Sequence, residues 1–105
     1  KIKVRLNKNE RISFNVIGIL KNLSEEELKK YNKSSGVKIS DFNKRYEKYW
    51  RDYGIEIGNI INSINGVHIK SISDVQNILN DMNNYDPLRI EIINSNGEME
   101  RFNFR

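Results

Sequence analysis

The chain has 105 residues, of which 18 are basic and 14 are acidic, and its formal net charge at pH 7 is +4. It contains no cysteine, which excludes a disulfide framework and a thiolate metal site. No apolar run approaches the ~20 residues that a helix needs to cross a bilayer. The length fits one small domain, and because the chain does not begin with Met we expect a piece of a longer protein.

The first part of the chain predicts two strands and a short helix. Lys1–Asn7 (KIKVRLN) alternates basic and aliphatic residues, as a half-buried strand does, and Arg11–Val16 (RISFNV) predicts a second short strand. Ser24–Tyr31 (SEEELKKY) begins with a capping box, in which Ser24 and Glu27 satisfy each other's backbone amides. Its acids precede its lysines, which suits the helix dipole, so we expect a short, mostly polar helix.

The middle of the chain predicts a strand, a helix and a second strand. Val37–Phe42 (VKISDF) alternates again, and Lys44–Tyr53 spaces its aromatic residues as a helix does until Gly54 ends it. Within Ile55–Asn65 we expect a strand that carries Ile60 and Ile64 on the face opposite Ile61.

The last part predicts two hairpins separated by a helix. The turn Asn65–Gly66 leads into a short strand at Val67–Ile69, and Ser71–Met82 carries an apolar stripe at helical spacing. Leu88–Ile93 and Glu98–Phe104 predict a terminal hairpin. Because βαβ regularity is missing, we expect an antiparallel α+β domain, a small barrel or sandwich flanked by two helices.

The residues offer little for catalysis or for binding a metal or cofactor. A serine triad would need His68. Its predicted position, on a strand after a tight turn, is more typical of a surface histidine than of a catalytic one. The sequence has no nucleophile elbow, Walker loop or dinucleotide glycine fingerprint, and its acidic stretches lack the spacing of a calcium loop. We therefore expect no catalytic residue, no metal ligand and no cofactor, and we expect the domain to bind something instead.

Gly18 interrupts the aliphatic run NVIGILKNL and needs an explanation, because glycine weakens a strand. In one hypothesis the successive amides of Ile17, Gly18 and Ile19 form a concavity that binds a carboxylate. A peptide would then add as a strand to a free edge at Ile19–Asn22, beside the helix Ser71–Met82. In the simpler hypothesis Gly18 is a bulge or packing glycine.

The peptide-binding hypothesis divides the apolar residues of the Gly18 segment and of the helix Ser71–Met82 between groove and core. The pocket for the last side chain of the peptide would be lined by Ile17, Ile19, Ile78 and Met82. Val75 and Leu79 are assigned to the core.

The order of elements and one long block resemble a PDZ domain of the HtrA/Do type. The block YGIEIGNIINSINGVHIKSISDVQNIL is similar to the family pattern AGLKPGDVIxxVNGxxVxSxxDLxxxL, and VIGI matches the x-Φ-G-Φ loop of the family. The residues in register are Gly54, Gly58, Ile60, Ile61, Asn65, Gly66, Ile69, Ser71, Asp74, Val75 and Leu79. The entry into the domain resembles the second, C-terminal PDZ domain of two-PDZ Do-like periplasmic serine proteases.

This resemblance implies a fold, a domain organisation, a site and partners. The fold would be a PDZ-like α+β domain, a partly open antiparallel barrel or sandwich flanked by two principal helices and one short extra helix. Residues 1–13 would be a lead-in segment and residues 14–105 the PDZ domain, a non-catalytic module whose parent carries a serine protease domain upstream. Its partners would be C-terminal or unfolded peptide segments and neighbouring domains or subunits, with neither nucleic acid nor membrane insertion, in the periplasm or cell envelope. The carboxylate loop would comprise Val16, Ile17, Gly18 and Ile19, and the groove Leu20, Lys21, Asn22, Asp74, Ile78 and Met82.

The aromatic helix leaves other roles open. It replaces a short SPAAKA helix of the family, and its aromatic residues either fill the core or form an interface with a neighbouring domain: Tyr46, Tyr49, Trp50 and Tyr53. In the second case the domain would serve oligomer assembly and its peptide groove would be vestigial. The basic residues of Asn43–Arg51 allow a nucleic-acid patch as a third reading, which Glu47 and Asp52 weaken by interrupting it.

Overall fold

The computed structural model describes residues 11–83 and 86–104. The strand predicted at Lys1–Asn7 lies outside these residues. The elements are β1 Arg11–Phe14, β2 Gly18–Asn22, α1 Glu25–Tyr31, β3 Val37–Phe42, α2 Lys44–Asp52, β4 Ile60–Ile64, β5 Val67–His68, α3 Ile72–Asp81, β6 Leu88–Ile93 and β7 Met99–Phe104. Within this part of the chain, no helix has the length and apolar character that crossing a membrane requires.

The described strands form one antiparallel sheet in the order β1-β2-β3-β4-β6-β7, and β5 pairs with β4 beside this path. The path does not close on itself, so the sheet is open, and β1 and β7 lie at its two ends. The predicted α+β class with an antiparallel sheet is confirmed, as are the three helices, of which α1 is the short one. β1 runs across the boundary predicted between residues 13 and 14.

Local interactions explain where the helices begin. Glu27 donates its backbone amide to Ser24 Oγ at 3.2 Å, and Ser24 donates its own amide to Glu27 Oε1 at 2.8 Å, which confirms the predicted capping box. At the start of α2, Asn43 Oδ1 accepts from the amide of Arg45. The Asn43 cap fixes where β3 gives way to α2, and that junction positions the candidate site.

The core is built from the inward faces of the sheet and from one side each of α2 and α3. Its fully buried side chains include Ile17, Leu20, Ile39, Trp50, Ile55, Ile61, Ile64, Val75, Ile90 and Ile92. The prediction that Ile64 and Ile61 lie on opposite faces of β4 is wrong. The pairing of β4 with β6 shifts register between Ile61 and Ser63, and this irregularity turns both isoleucines into the core while Ile60 lies outside the core cluster.

Candidate functional site

The segment from Val16 to Ile19 forms the turn between β1 and β2 and the start of β2. Ile17 donates its amide to the carbonyl of Phe14 at 2.9 Å, which closes the turn. The carbonyl of Val16 accepts from Trp50 Nε1 at 2.7 Å, and that of Ile17 from the amide of Asn43 at 2.7 Å. The turn is therefore fixed through its carbonyl groups to α2 and its N-terminal cap.

Gly18 is explained by the close approach of another backbone. A Cβ atom at this position would lie 2.6 Å from the amide nitrogen of Asn43 and 2.8 Å from the carbonyl carbon of Phe42, and it would also meet the carbonyl oxygen of Asp41. Its φ of 144° is a conformation that side chains with a Cβ rarely adopt. The simpler of the two hypotheses, a packing glycine, accounts for this residue without any ligand.

The edge of β2 predicted to be free is paired. β1 runs antiparallel to β2 with the partners Arg11–Lys21, Ile12–Leu20, Ser13–Ile19 and Phe14–Gly18, and β3 pairs with the other edge. The prediction of a free edge at Ile19–Asn22 is wrong, because the chain supplies its own strand there. A concavity of three free amides is also wrong, since the amide of Ile17 is bonded to Phe14.

The aliphatic pocket predicted between Ile17 and Ile19 does not form. Ile17 is fully buried in the core, whereas Ile19 is partly exposed and outside the core cluster. Leu20, predicted for the groove, is also fully buried in the core, while Lys21 is half-buried. The turn before Gly18 and the register shift between Ile19 and Leu20 break the simple alternation on which the prediction rested.

The start of α3 is tied to the end of β2. Asn22 Oδ1 accepts from the amide of Ile72 at 2.9 Å, so this predicted groove residue joins the two walls. Asp74, also predicted for the groove, caps the helix instead, because Oδ2 of its carboxylate accepts from the amides of Lys70 and Ser71 at 2.8 and 3.2 Å. Val75 is fully buried, as predicted.

The end of α3 faces the β1–β2 turn across a cavity of about 300 Å³. Phe14, Val16 and Met82 line it together with Leu79, so Met82 and Val16, both predicted for the site, are brought together. Leu79, which was assigned wholly to the core, lines the cavity as well, while Ile78 packs against the core from a partly buried position. A second cavity of about 300 Å³ lies at the start of α3, beside Arg11 and Ile12 of β1.

A larger surface depression of about 580 Å³ lies elsewhere, between the end of α1 and the turn of the β6–β7 hairpin. Tyr31 and Ile57 line it and both are exposed. Polar residues of the turn Asn94–Gly97 form its other side. No predicted site residue lines this depression, so its volume does not mark it as the candidate site.

The aromatic side chains of α2 pack mainly inward. Trp50 is fully buried and meets Phe102 of β7 edge to face, with the ring centroids 4.9 Å apart. Tyr46 and Tyr49 are partly buried against the core, and burial together with the nearby Tyr53 raises the pKa of Tyr49. Trp50 therefore fills the core, and the alternative in which it is an interface residue is wrong.

The aromatic residue that caps the C-terminus of α2 remains open to solvent. Tyr53 is 56% exposed, although its ring also touches Tyr49, with centroids 4.9 Å apart. Of the four predicted interface residues it is the most accessible to a partner.

Two of the four basic residues of α2 form ion pairs with acids of the same helix. Lys48 Nζ lies 2.9 Å from Asp52 Oδ2, and Arg51 Nε lies 2.8 Å from Glu47 Oε2. Two of its cations are thus paired within the helix, which weakens the hypothesis of a nucleic-acid patch.

His68 lies on β5 and is exposed, as predicted. The described residues contain no group of three or more side chains arranged to hold a metal ion.

The sequence prediction missed the residues that complete this region: Ile12 and Phe14, which occupy the edge of β2, and Asn43, which anchors the turn. A signal was present, because RISF and GILK are two short apolar-rich runs separated by three residues, and the second run begins with a glycine. That spacing is typical of a hairpin. The strand at RISF was expected, but its pairing partner was not.

Comparisons of the chain with protein-family models, with curated proteins and with solved structures find no match. Its function is therefore inferred from the residues and contacts described above.

Proposed function

We propose that this chain is a non-catalytic, PDZ-like module that binds C-terminal or extended hydrophobic peptide segments by strand addition beside β2. The resemblance of its long glycine-containing block to PDZ domains of the HtrA/Do type supports this proposal, as does the observed open antiparallel sheet with three helices. PDZ domains bind a peptide as an additional strand, using main-chain hydrogen bonds for affinity and alternate side chains for specificity.

One observation carries the proposal: an extended segment already lies along β2 and against α3. β1 runs antiparallel to β2 and contacts α3, and the bond from Ile72 to Asn22 holds the two walls together. Of the side chains of β1, Phe14 is buried and Ile12 packs against the core. A surface that accepts a strand with alternate apolar side chains is the surface that peptide binding of this kind requires.

The setting of this module is part of the same proposal. We place it in a trypsin-like serine endopeptidase of the Do/HtrA type, in the periplasm or cell envelope, with the protease domain elsewhere in the parent chain. Its role there is to present substrate segments to the protease, or to regulate and assemble it through neighbouring domains or subunits.

The experiment is a titration of the isotope-labelled chain with short hydrophobic peptides, each in free-acid and amidated form, followed by backbone amide shifts. Free-acid peptides are expected to move the amides of Ile17, Gly18 and Ile19 and those of β1, which must leave its place, whereas amidated peptides shift them less. Matched peptides with both apolar side chains replaced by serine serve as the control. Absence of any shift at millimolar peptide contradicts the proposal.

A second function is favoured by the paired edge of β2: the domain serves oligomer assembly and its groove is vestigial. β1 occupies the edge, and the amide of Ile17 is already bonded. The exposed Tyr53 is then the best contact to a neighbouring subunit. Replacement by alanine, Tyr53→Ala, would dissociate oligomers of the parent protein in sedimentation velocity without changing the melting temperature of this domain, and unchanged oligomers would contradict this function.

A further inference from the structure

β1 has the direction and register of a bound peptide. It is antiparallel to β2, its last residue Phe14 pairs with Gly18, and its first residue Arg11 pairs with Lys21. The C-terminal end of the strand therefore lies at the turn that precedes β2, where a terminal carboxylate was predicted to bind. In the described sheet β1 has no second strand neighbour, so it is held by β2 on one side only.

The side chains of β1 alternate as those of a strand-adding ligand do. Phe14 is only 3% exposed and lines the cavity at the end of α3, next to Leu79 and Met82. Ile12, two residues earlier, packs against the core and lines the cavity at the start of α3. Ser13 between them is exposed. α3 thus offers two positions for side chains two residues apart, an apolar one at its end and one beside Ile72 at its start.

The main-chain carbonyl of Phe14 occupies the position expected for the terminal carboxylate of a bound peptide. Its carbonyl oxygen accepts from the amide of Ile17 at 2.9 Å. If β1 left, this amide would lose its partner, and a terminal carboxylate at the same place would restore the bond and add a charge to it.

The first residue of β1 fits its place poorly. Arg11 lies directly opposite Lys21 in the ladder, and like charges facing each other across a sheet are destabilising. The six residues that line the cavity next to Arg11 include no carboxylate. A strand with an acidic residue at this position would face Lys21 with the opposite charge.

We infer that β1 is a built-in ligand of the β2–α3 site, and that an external peptide ending in an acidic, an aliphatic, a small polar and an aromatic residue displaces it. This inference rests on the proposed peptide-binding function and names the class of segment that the site takes. Since binding requires β1 to be out of place, the apparent affinity is the intrinsic affinity reduced by the small fraction of molecules in which β1 has opened.

The test locks β1 to β2. Ser13 and Ile19 are direct partners on the outer face, and strand partners have Cα separations of about 4.5–5.5 Å, which a disulfide spans. The double variant Ser13→Cys/Ile19→Cys forms one bridge without competition, because the chain has no native cysteine. The matched control, Arg89→Cys/Asn103→Cys, joins direct partners in the β6–β7 hairpin instead.

Binding of a peptide that ends in Glu-Ile-Ser-Phe with a free carboxylate is measured by calorimetry, for each variant oxidised and reduced. The locked hairpin is expected to bind at least about tenfold more weakly than its reduced form, while the control changes less than about twofold. Equal binding by both forms of the first variant overturns the inference and leaves the peptide-binding function standing. Binding to neither form, nor to the unaltered chain, overturns the peptide-binding function and this inference together.

A weakened β1 gives the opposite sign and separates the inference from general destabilisation. The partly buried Ile12 is replaced by alanine, Ile12→Ala, which loosens β1 without emptying the centre of the core. We expect the free-acid peptide to bind roughly tenfold more tightly, because more molecules are open. A variant that merely damaged the site would bind more weakly, and that result overturns the inference.

The charge opposite Lys21 provides a last readout on the unaltered chain. A peptide ending in Glu-Ile-Ser-Phe is expected to bind roughly threefold more tightly than one ending in Arg-Ile-Ser-Phe, which copies β1 itself. High salt is expected to narrow this ratio. A preference for arginine would show that the peptide does not lie where β1 lies.

Discussion

The two hairpins at the ends of the sheet are held in place by different means. β6 and β7 pair through six consecutive residues, from Leu88–Phe104 to Ile93–Met99, without a register shift. Their turn is fixed by Asn94, whose side-chain oxygen accepts from the amides of Asn96 and Glu98. β1 and β2 pair through only four residues, and β1 depends on the apolar side chains that it places against α3 and the core.

This difference shows which edge of the sheet is replaceable. The β6–β7 hairpin has six strand pairs and a turn fixed by its own side chain, in addition to the packing of Phe102 on Trp50, so we expect β7 to stay paired. β1 is stabilised by contacts that any strand with similar side chains would make, and Arg11 facing Lys21 weakens it further. Local opening in proteins favours segments held by fewer contacts, and β1 has four strand pairs where β7 has six.

The largest effect is expected from Trp50, which touches both hairpins. Its Nε1 donates to Val16 in the β1–β2 turn, and its ring packs on Phe102 of β7. Trp50→Ala should lower the free energy of unfolding by about 3–5 kcal/mol, since it removes a fully buried aromatic side chain. Urea denaturation followed by circular dichroism measures this loss.

The variant Trp50→Phe separates the two contacts. It keeps an aromatic ring against Phe102 but leaves the carbonyl of Val16 without its donor, which should cost about 1–3 kcal/mol. Amide hydrogen exchange should show the loss of protection in the β1–β2 hairpin, with β6–β7 protected as before. Equal loss of protection in both hairpins would contradict the expectation that only β1–β2 depends on the hydrogen bond from Trp50.

The next effect is expected at Gly18. Gly18→Ala places a Cβ against the backbone of Asp41–Asn43, which cannot move as a side-chain tip can, and we expect a loss of about 2–4 kcal/mol. Gly58→Ala is the matched control, because Gly58 also has a positive φ of 96° but nothing within 4 Å of the added atom. Its loss should stay near 1 kcal/mol. Similar melting temperatures for the two variants would contradict the role of close backbone approach.

The sequence predicted local structure well because local signals decide it. The capping box at Ser24, the turn at Asn65–Gly66 and the alternation of Val37–Phe42 each depend on neighbours in the chain, and each predicted element in the described residues is present. Only the coarse class of the fold followed from these signals. The order of strands depends on distant pairings, which local spacing does not encode.

The candidate site was predicted less well for a related reason. Gly18 was singled out correctly as unusual, but its cause is the backbone of Asp41–Asn43, more than twenty residues away along the sequence. The burial of Trp50 depends on Phe102 in the last strand. The free edge at Ile19–Asn22 was wrong because RISF was predicted as a strand without a partner, and only its pairing shows that the edge is taken.

The smallest effect, and the one that separates the hairpins most cleanly, comes from acid. Ser63 Oγ donates to Glu91 Oε1 at 2.5 Å and Arg101 Nη2 lies 3.0 Å from Oε2, and these partners hold the pKa of Glu91 below its ordinary value of 4.5. A carboxyl whose pKa is lower in the folded state stabilises the fold above pH 4.5, and that contribution disappears as the pH falls through the folded pKa. The residues of the β1–β2 hairpin, 11–22, include no carboxylate, so of the two hairpins β6–β7 is the one that acid should loosen through a carboxylate of its own. Comparing the unaltered chain with Glu91→Gln at the same pH cancels the intrinsic pH dependence of amide exchange. β6–β7 should exchange faster in the variant near pH 6.5, and this difference should narrow as the pH falls below 4.5 and through the folded pKa of Glu91. β1–β2 should not differ between the two chains anywhere in this range. A difference that does not narrow as the pH falls through this range would mean that the variant acts through packing rather than through charge.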